Sequence, residues 1–390
     1  MKIKICVVSS SRADYGILKN LMLEFISSNN FELQLIVTGS HLSYQHGYTI
    51  KEILSDGIKV DQKVRIINKT DVPIDIANIF GNTVTKMTKP LSRLKPDVLL
   101  LLGDRYEIFA AAISATILKI PIAHIHGGEI TEGAMDNVMR HCLTKLSHIH
   151  FASNIVYKKR IIQMGELPQN VHNVGALGVE NTKKLKFVTL EKLEHNLNFK
   201  FYNKNILISY HSVTLDENPI YGIEVILKVL KKFKDVGLIF TYANADIKGT
   251  IINNEIIKFV EKNKNAVVFS NLGQLKYLSC LKYCDGIIGN SSSAIIEAPS
   301  VNTWSINIGN RQKGRIKSKS VFDEEININS IEKTLQSLLK TENNDNTINY
   351  VNPYEKSNTK NSILDILVQT DIKKIFVKKF FDINYIISKS

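Results

Sequence analysis

Residues Asp97–Leu102 read DVLLLL and then break at once into Gly103-Asp104-Arg105. A strand with one wet face alternates apolar and polar residues. An unbroken leucine run belongs in the middle of a parallel sheet covered by helices on both faces. Beyond the break, Ile108, Phe109, Ala112, Ile113 and Ile117 recur at helical spacing and predict an amphipathic helix with these residues inward.

The same unit of strand, polar turn and helix recurs along the chain. Ile3–Ser9 runs into Ser10–Gly16, then into a helix with Leu18, Leu21, Met22 and Phe25 on one face. Strands are further predicted at Phe31–Thr38, at Ile120–Ile125 leading into His126-Gly127-Gly128-Glu129, and at His148–Ala152. The segment 179–204 is rich in Lys, Glu and Asn without a strong strand and reads as an interdomain connection. The pattern then restarts with strands at Ile206–Tyr210, Leu238–Tyr242, Ala266–Ser270, Gly286–Gly289 and Trp304–Ile308. A helix carrying Ile223, Ile226, Leu230 and Phe233 lies between the first two.

Two such halves predict an α/β fold of two doubly wound Rossmann-like domains facing a cleft. The expected division is 1–178 for the first domain with the catalytic acids, 179–204 for the connection and 205–350 for the second. Residues 351–390 then form a C-terminal helix and basic tail packing partly back on the first domain. Asn-rich 341–361 reads as a loop.

Composition bounds the function. With 390 residues, 44% hydrophobic and 22% charged, the chain reads as a soluble globular protein rather than a disordered or fibrous one. No apolar run approaches the roughly 18–20 residues of a membrane span, and the N-terminus does not read as a signal peptide. Cys6, Cys142, Cys280 and Cys284 lack metal-site spacing and read as reduced thiols of a cytoplasmic protein. The net charge of +13 lies in scattered lysines without a nucleic-acid module, and it favours anionic ligands.

Ligands of open parallel sheets bind beyond the carboxyl ends of the strands, so the polar residues there are the candidates for chemistry. After the first strand, Ser10–Gly16 has one glycine instead of G-x-G-x-x-G, which argues against a nicotinamide or flavin dinucleotide. Arg12 there suits a diphosphate clamp or a plain surface position. Gly289-Asn290-Ser291-Ser292-Ser293 offers hydroxyls and backbone N–H groups to an anion, or simple helix capping. Glu297, one turn on, suits ribose hydroxyls or solvent.

Asp104 is a candidate acid or an N-cap. His126, Glu129 and Asp136 suit proton transfer at neutral pH. His124 and His126 fall on one face of a strand, but no third ligand supports zinc. His148 and His150 read as structural. His211 in Tyr210–Thr214 either faces the serine run across a cleft or is incidental to a capping Ser/Thr.

Taken together, SRADYG, GDRYEIFAAA, HIHGGE, RH-x-x-TK-x-SH-x-H, GNSSS-x-x-IE-x-PS, INIG-x-RQ-x-GR and NPY-x₅-N span about residues 3–370 in unbroken order. This set resembles the hydrolysing UDP-N-acetylglucosamine 2-epimerases, which make N-acetylmannosamine for bacterial sialic acid synthesis. The resemblance implies a glycosyltransferase-B-like fold, no metal, no cofactor, and a homodimer or homotetramer. It implies loss of UDP with the proton on carbon 2 to give a glycal-like intermediate. Water then adds at carbon 1 and a proton returns to the other face of carbon 2.

By the same resemblance Asp104 is the catalytic aspartate and Asp136 a second acidic group, with His41 of the TGSHL turn on the sugar side. Arg12, Arg105, His211, Ser291 and Ser292 match diphosphate contacts, and Arg311 a basic residue near them. Asn244 matches a nucleotide contact, Tyr277 an aromatic near uracil and Glu297 the ribose carboxylate.

Three departures stand out. His126 occupies the place of a glutamate common among relatives, so either His126 or Glu129 takes that proton transfer. The ITEGAMD loop leading to Asp136 is one residue longer than in some relatives, and Gly16 replaces a serine. The same reaction on UDP-2,4-diacetamido-2,4,6-trideoxyglucose for legionaminic acid, or glycosyl transfer on this scaffold, are the alternatives.

Overall fold

The computed structural model describes residues 2–44, 47–66, 72–132, 134–213, 218, 220–243, 248–341 and 348–383. It contains two wholly parallel sheets. The first comprises β1 (Ile3–Ser9), β2 (Phe31–Thr38), β3 (Gln62–Val64), β4 (Val98–Leu102), β5 (Ile122–Ile125), β6 (Ile149–Ala152) and β7 (Val171–Asn173). Their spatial order is β3-β2-β1-β4-β5-β6-β7. The second has β8 (Lys204–Ser209), β9 (Val236–Thr241), β10 (Ala266–Phe269), β11 (Gly286–Gly289), β12 (Trp304–Ile308) and β13 (Val321–Glu324), ordered β10-β9-β8-β11-β12-β13.

The leucine run of β4 shows why these sheets are sandwiched. Val98, Leu100 and Leu102 pack into one core with Leu18, Leu21, Met22 and Phe25 of helix Arg12–Ser27. Leu99 and Leu101 point the other way, into a second core. Full burial of each such side chain contributes about 1.5–3 kcal/mol, so neither face can be uncovered cheaply.

The second core departs from expectation in detail. Helix Tyr106–Ile117 buries Ile108, Ala111, Ala112 and Ala115, whereas Ile117 is 71% exposed. The alanine stripe admits helix Pro73–Leu94, whose Met87 and Leu91 complete that core. In the second lobe, Ile206 and Ile208 of β8 pack with Ile223, Ile226 and Leu230 of helix Tyr221–Leu230, while Leu207 faces the opposite core.

Between the sheets the chain forms helices Leu177–Lys184 and Leu190–Leu197, and Leu193 and Leu197 join a core of the second lobe. After the second sheet, helix Thr359–Gln369 places Ile363 and Leu367 in the first lobe's core. The following tail is tethered there too. Lys378 Nζ donates to the carbonyls of Lys145, at 2.8 Å, and Ser147, capping the C-terminal end of helix Asp136–Leu146. It also lies 2.7 Å from Glu166 Oε2. Among the described residues, no helix is long and apolar enough to cross a membrane.

Candidate active site

Each sheet reverses its strand order at one place, β1/β4 in the first lobe and β8/β11 in the second. Such reversals leave a crevice beyond the strand ends. The segments Ser10–Arg12, Gly103–Arg105, Tyr210–Val213 and Asn290–Ser293 follow those four strands.

The turn after β1 is organised around Asp14. Its carboxylate accepts from Ser9 Oγ at 2.6 Å, from Ser10 N and Oγ at 2.8 Å each, and from Ser11 N at 3.1 Å. Burial opposes its charge, yet His41, Ser9 and Ser10 outweigh burial and hold the carboxyl below its ordinary value. His41 itself is fully buried behind this turn. Its Nε2 lies 2.9 Å from Ser9 Oγ and its Nδ1 2.7 Å from Thr49 Oγ1. Arg12, launched from the capped start of helix Arg12–Ser27, reaches the second lobe and donates to the carbonyl of Ser270. Burial lowers its guanidinium from the usual value, with Glu52 and Tyr277 acting against that.

Beyond β4, Asp104 forms an ion pair with Arg140 Nη2. Arg140 sits one turn after Asp136, the first residue of helix Asp136–Leu146, and its Nε and Nη1 are buried without a hydrogen-bond partner among the described residues. Arg105 turns the other way and engages both oxygens of Glu107, at 3.2 and 3.3 Å.

Beyond β5 the expected histidine pair does not share a face. His126 has φ +68°, a left-handed conformation that swings it out of the strand's alternation. His124 stays in the sheet against the Gly103 carbonyl at 2.6 Å, and burial brings its pKa down to about 4. Among the described residues no group of three or more His, Cys, Asp or Glu is placed to hold a metal. His126 Nδ1 lies 2.7 Å from Glu129 Oε1, which also accepts from Ser153 Oγ at 2.7 Å. Glu129 Oε2 lies 2.9 Å from Arg315 Nη2 of the second lobe. Burial opposes the Glu129 charge, but Arg315 and His126 overcome it and hold the carboxyl far below the ordinary range.

In the second lobe, the Asn290 side chain pairs with the backbone of His211, and both Arg311 Nη1 and Gln312 Nε2 donate to the Asn290 carbonyl at 2.9 Å. Ser291 Oγ accepts from Ser293 N at 3.4 Å, and Ser292 immediately precedes the four-residue helix Ser293–Ile296 without a side-chain capping hydrogen bond among the described residues. Gly289 has φ +140°, and a Cβ there would collide with the backbone of Ser209. The tight β11 turn therefore needs glycine.

Glu297 follows that helix, and burial pushes its carboxyl up to about 7, with Ser293, His126 and Arg315 pulling the other way. Tyr277 lies beside it, its phenol raised by burial and by Glu297. Asn244 and Thr214 lie outside the described residues.

These contacts join the lobes electrically. His126 and Arg315 act on Glu297, and Asp104 acts on Arg315. One wall offers carboxylates and an imidazole for proton transfer, and the other offers hydroxyls, backbone N–H groups and guanidinium to an anion. Arg140 and Arg315 both stand in motifs quoted above, yet their spacing alone assigned them no role. Arg315 is fixed by the neighbouring Ile316, whose N–H meets Tyr157 Oη at 3.0 Å and whose carbonyl meets Tyr354 Oη at 2.7 Å.

The family model described as UDP-N-acetylglucosamine 2-epimerase matches residues 24–368. The hydrolysing GDP/UDP-N,N'-diacetylbacillosamine 2-epimerase of Campylobacter jejuni is 41% identical over 328 residues, 84% of this chain and 85% of that protein. The hydrolysing UDP-N,N'-diacetylbacillosamine 2-epimerase of Legionella pneumophila is 32% identical over 366 residues, 93% and 95% of the two chains. Polysialic acid biosynthesis protein P7 of Escherichia coli is 36% identical over 330 residues, 84% of each. In fold, the chain resembles the UDP-GlcNAc 2-epimerase of Neisseria meningitidis bound to UDP-GlcNAc. The TM-score is 0.80 at 20% identity, covering 94% of this chain and all of that one. With the family model spanning most of its length and hydrolysing enzymes among its full-length relatives, this chain belongs to the hydrolysing UDP-N-acetylglucosamine 2-epimerase family.

Proposed function

We propose that this chain converts UDP-N,N'-diacetylbacillosamine, that is UDP-2,4-diacetamido-2,4,6-trideoxyglucose, and water into UDP and the free 2-epimeric sugar. The observation that carries the reaction class is the meeting of Asp104, His126 and Glu129 with Arg315 and Glu297 across the two lobes. The substrate reading rests on the names of the relatives at 41% and 32% identity. UDP-N-acetylglucosamine is the second reading, favoured by the polysialic acid protein at 36%.

In this scheme the second lobe grips the nucleotide. Glu297 accepts from the ribose hydroxyls, Tyr277 lies by the uracil, and His211, Ser291, Ser292 and Arg311, with Arg12 from across the cleft, meet the diphosphate. Charge developing on the departing diphosphate is met by groups already in place, without reorganisation. On the first lobe, acid–base groups remove the carbon 2 proton. Its C–H electron pair becomes the C1=C2 bond as the C1–O bond breaks and UDP leaves with its electrons. Water supplies hydroxyl to C1, and a proton returns to the opposite face of C2. Asp104, oriented by Arg140, and Asp136 are the carboxyl groups assigned to this exchange.

The test is product identification by NMR from each nucleotide sugar. Free UDP with a free manno-configured sugar is expected, faster from the diacetamido compound. An intact UDP-linked epimer as sole product overturns the hydrolytic reading. UDP release only in the presence of an acceptor identifies a glycosyltransferase instead.

A further inference from the structure

We propose that Glu129 is a positioning residue that holds the His126 ring with its proton on Nδ1, so that Nε2 is the base for the carbon 2 proton, and that Arg315 of the second lobe keeps Glu129 ionised. The inference deepens the epimerase reading above and rests on it.

Position decides between the two groups. Glu129 is 1% exposed and both its oxygens are taken, Oε1 by His126 and Ser153 and Oε2 by Arg315. A carboxylate so surrounded has nothing left for a substrate and is a weak base. His126 Nε2, in contrast, is buried and has no hydrogen-bond partner among the described residues. Of the His126–Glu129 pair it is the polar atom left for a further contact, and beside it Arg315 Nε and Nη1 are likewise buried without a hydrogen-bond partner among the described residues.

The loop is built to present it. The left-handed backbone at His126 turns the ring off the sheet. The next turn is pinned by Arg160 Nη1 donating to the Gly128 carbonyl at 2.6 Å. A Cβ at Gly128, φ +73°, would meet the Tyr157 carbonyl at 2.6 Å, so only glycine lets helix Ile155–Gln163 approach this closely.

The chemistry follows from the substitution noted in the sequence. A glutamate at this place takes a proton unaided, whereas an imidazole must first be set in one tautomer and then carry a positive charge. An anionic partner on Nδ1 does both. In the elimination the C2–H proton passes to Nε2, its electron pair enters the C1=C2 bond, and UDP leaves with the C1–O pair. The imidazolium is balanced by Glu129. The charged groups around His126 are Glu129 on its own loop, Arg315 and Glu297 from the second lobe, and Arg140 of helix Asp136–Leu146 beside Glu129.

Steady-state kinetics over pH, on the nucleotide sugar that the wild type turns over, test this. Glu129→Gln is expected to lower kcat by on the order of 10²–10⁴-fold with KM little changed, and to move the acidic limb of kcat to lower pH. Glu129→Asp should recover part of both. Wild-type kcat with an unmoved limb overturns the proposal.

Nitrogen-15 NMR of the wild-type imidazole, assigned by its loss in His126→Asn, decides without relying on a folded Glu129 variant. A neutral ring protonated on Nδ1 is expected, and one protonated on Nε2 overturns the idea. Should the wild type release no UDP from either sugar, the epimerase reading fails, while the tautomer still settles the role of Glu129.

Discussion

The Asn290 side chain pairs with His211 as a strand would: the His211 N–H donates to Asn290 Oδ1 at 2.7 Å, and Asn290 Nδ2 donates to the His211 carbonyl at 2.8 Å. The loops after β8 and β11 are thereby locked in register where the second sheet reverses its order. Asn290→Ala removes both of these hydrogen bonds from a buried backbone segment and is expected to cost about 2 kcal/mol in urea unfolding. UDP affinity in titration calorimetry should fall with it, since the His211 and Ser291 loops lose their common brace. Unchanged stability removes the brace.

Asp104 and Arg140 form an ion pair at the first lobe's strand tips. Asp104→Asn is expected to lower kcat by roughly 100-fold or more, the scale of a lost proton-transfer group. UDP affinity should stay within a few-fold, because the proposed scheme gives Asp104 no contact with the nucleotide. A variant with most of its turnover intact takes Asp104 out of the reaction.

Burial in the folded protein pushes the Glu297 carboxyl up to about 7 from 4.5. Between those values the unfolded chain holds fewer protons than the native one, so this group's contribution to stability falls as pH rises through that interval. Ribose hydroxyls favour the ionised carboxylate. UDP affinity should therefore climb from pH 5.5 to 8 more steeply in the wild type than in Glu297→Gln. Parallel slopes in calorimetry at several pH values exclude the ribose contact.

Glu166 is the opposite case. Burial opposes its charge, but His150, Lys145 and Lys378 hold its pKa down to about 2 from 4.5. Its stabilisation is complete above pH 4.5 and is lost as pH falls from there toward 2. Glu166→Gln should destabilise the protein by about 2 kcal/mol at pH 7, read from urea midpoints. The gap from wild type should close on acidification across that interval, and a constant gap contradicts the pairing.

The central strands were legible in the sequence because unbroken apolar runs such as DVLLLL have their stable place in a parallel sheet covered by helices on both faces. Three of the four edge strands were not: QKV, VHN and VFDE are short and half polar, and neighbouring strands, not their own pattern, hold them in place. The candidate site was legible as the residues following each strand.

Side-chain direction was not legible. The shared face expected for His124 and His126 fails because backbone handedness at one residue is invisible to a two-residue period. Arg140 meets Asp104 across 36 residues and Arg315 meets Glu129 across the cleft, and no local spacing announces either pair. His41 is enclosed by Ser9 and Thr49, a setting that only tertiary packing creates.

Ile363 and Leu367, which follow the whole second sheet along the chain, fill the interior of the lobe that contains Ile5. During synthesis the first lobe must therefore wait, with an apolar trough open, until the whole of the second has emerged. Emergence of helix Thr359–Gln369 from the ribosome is what seals it.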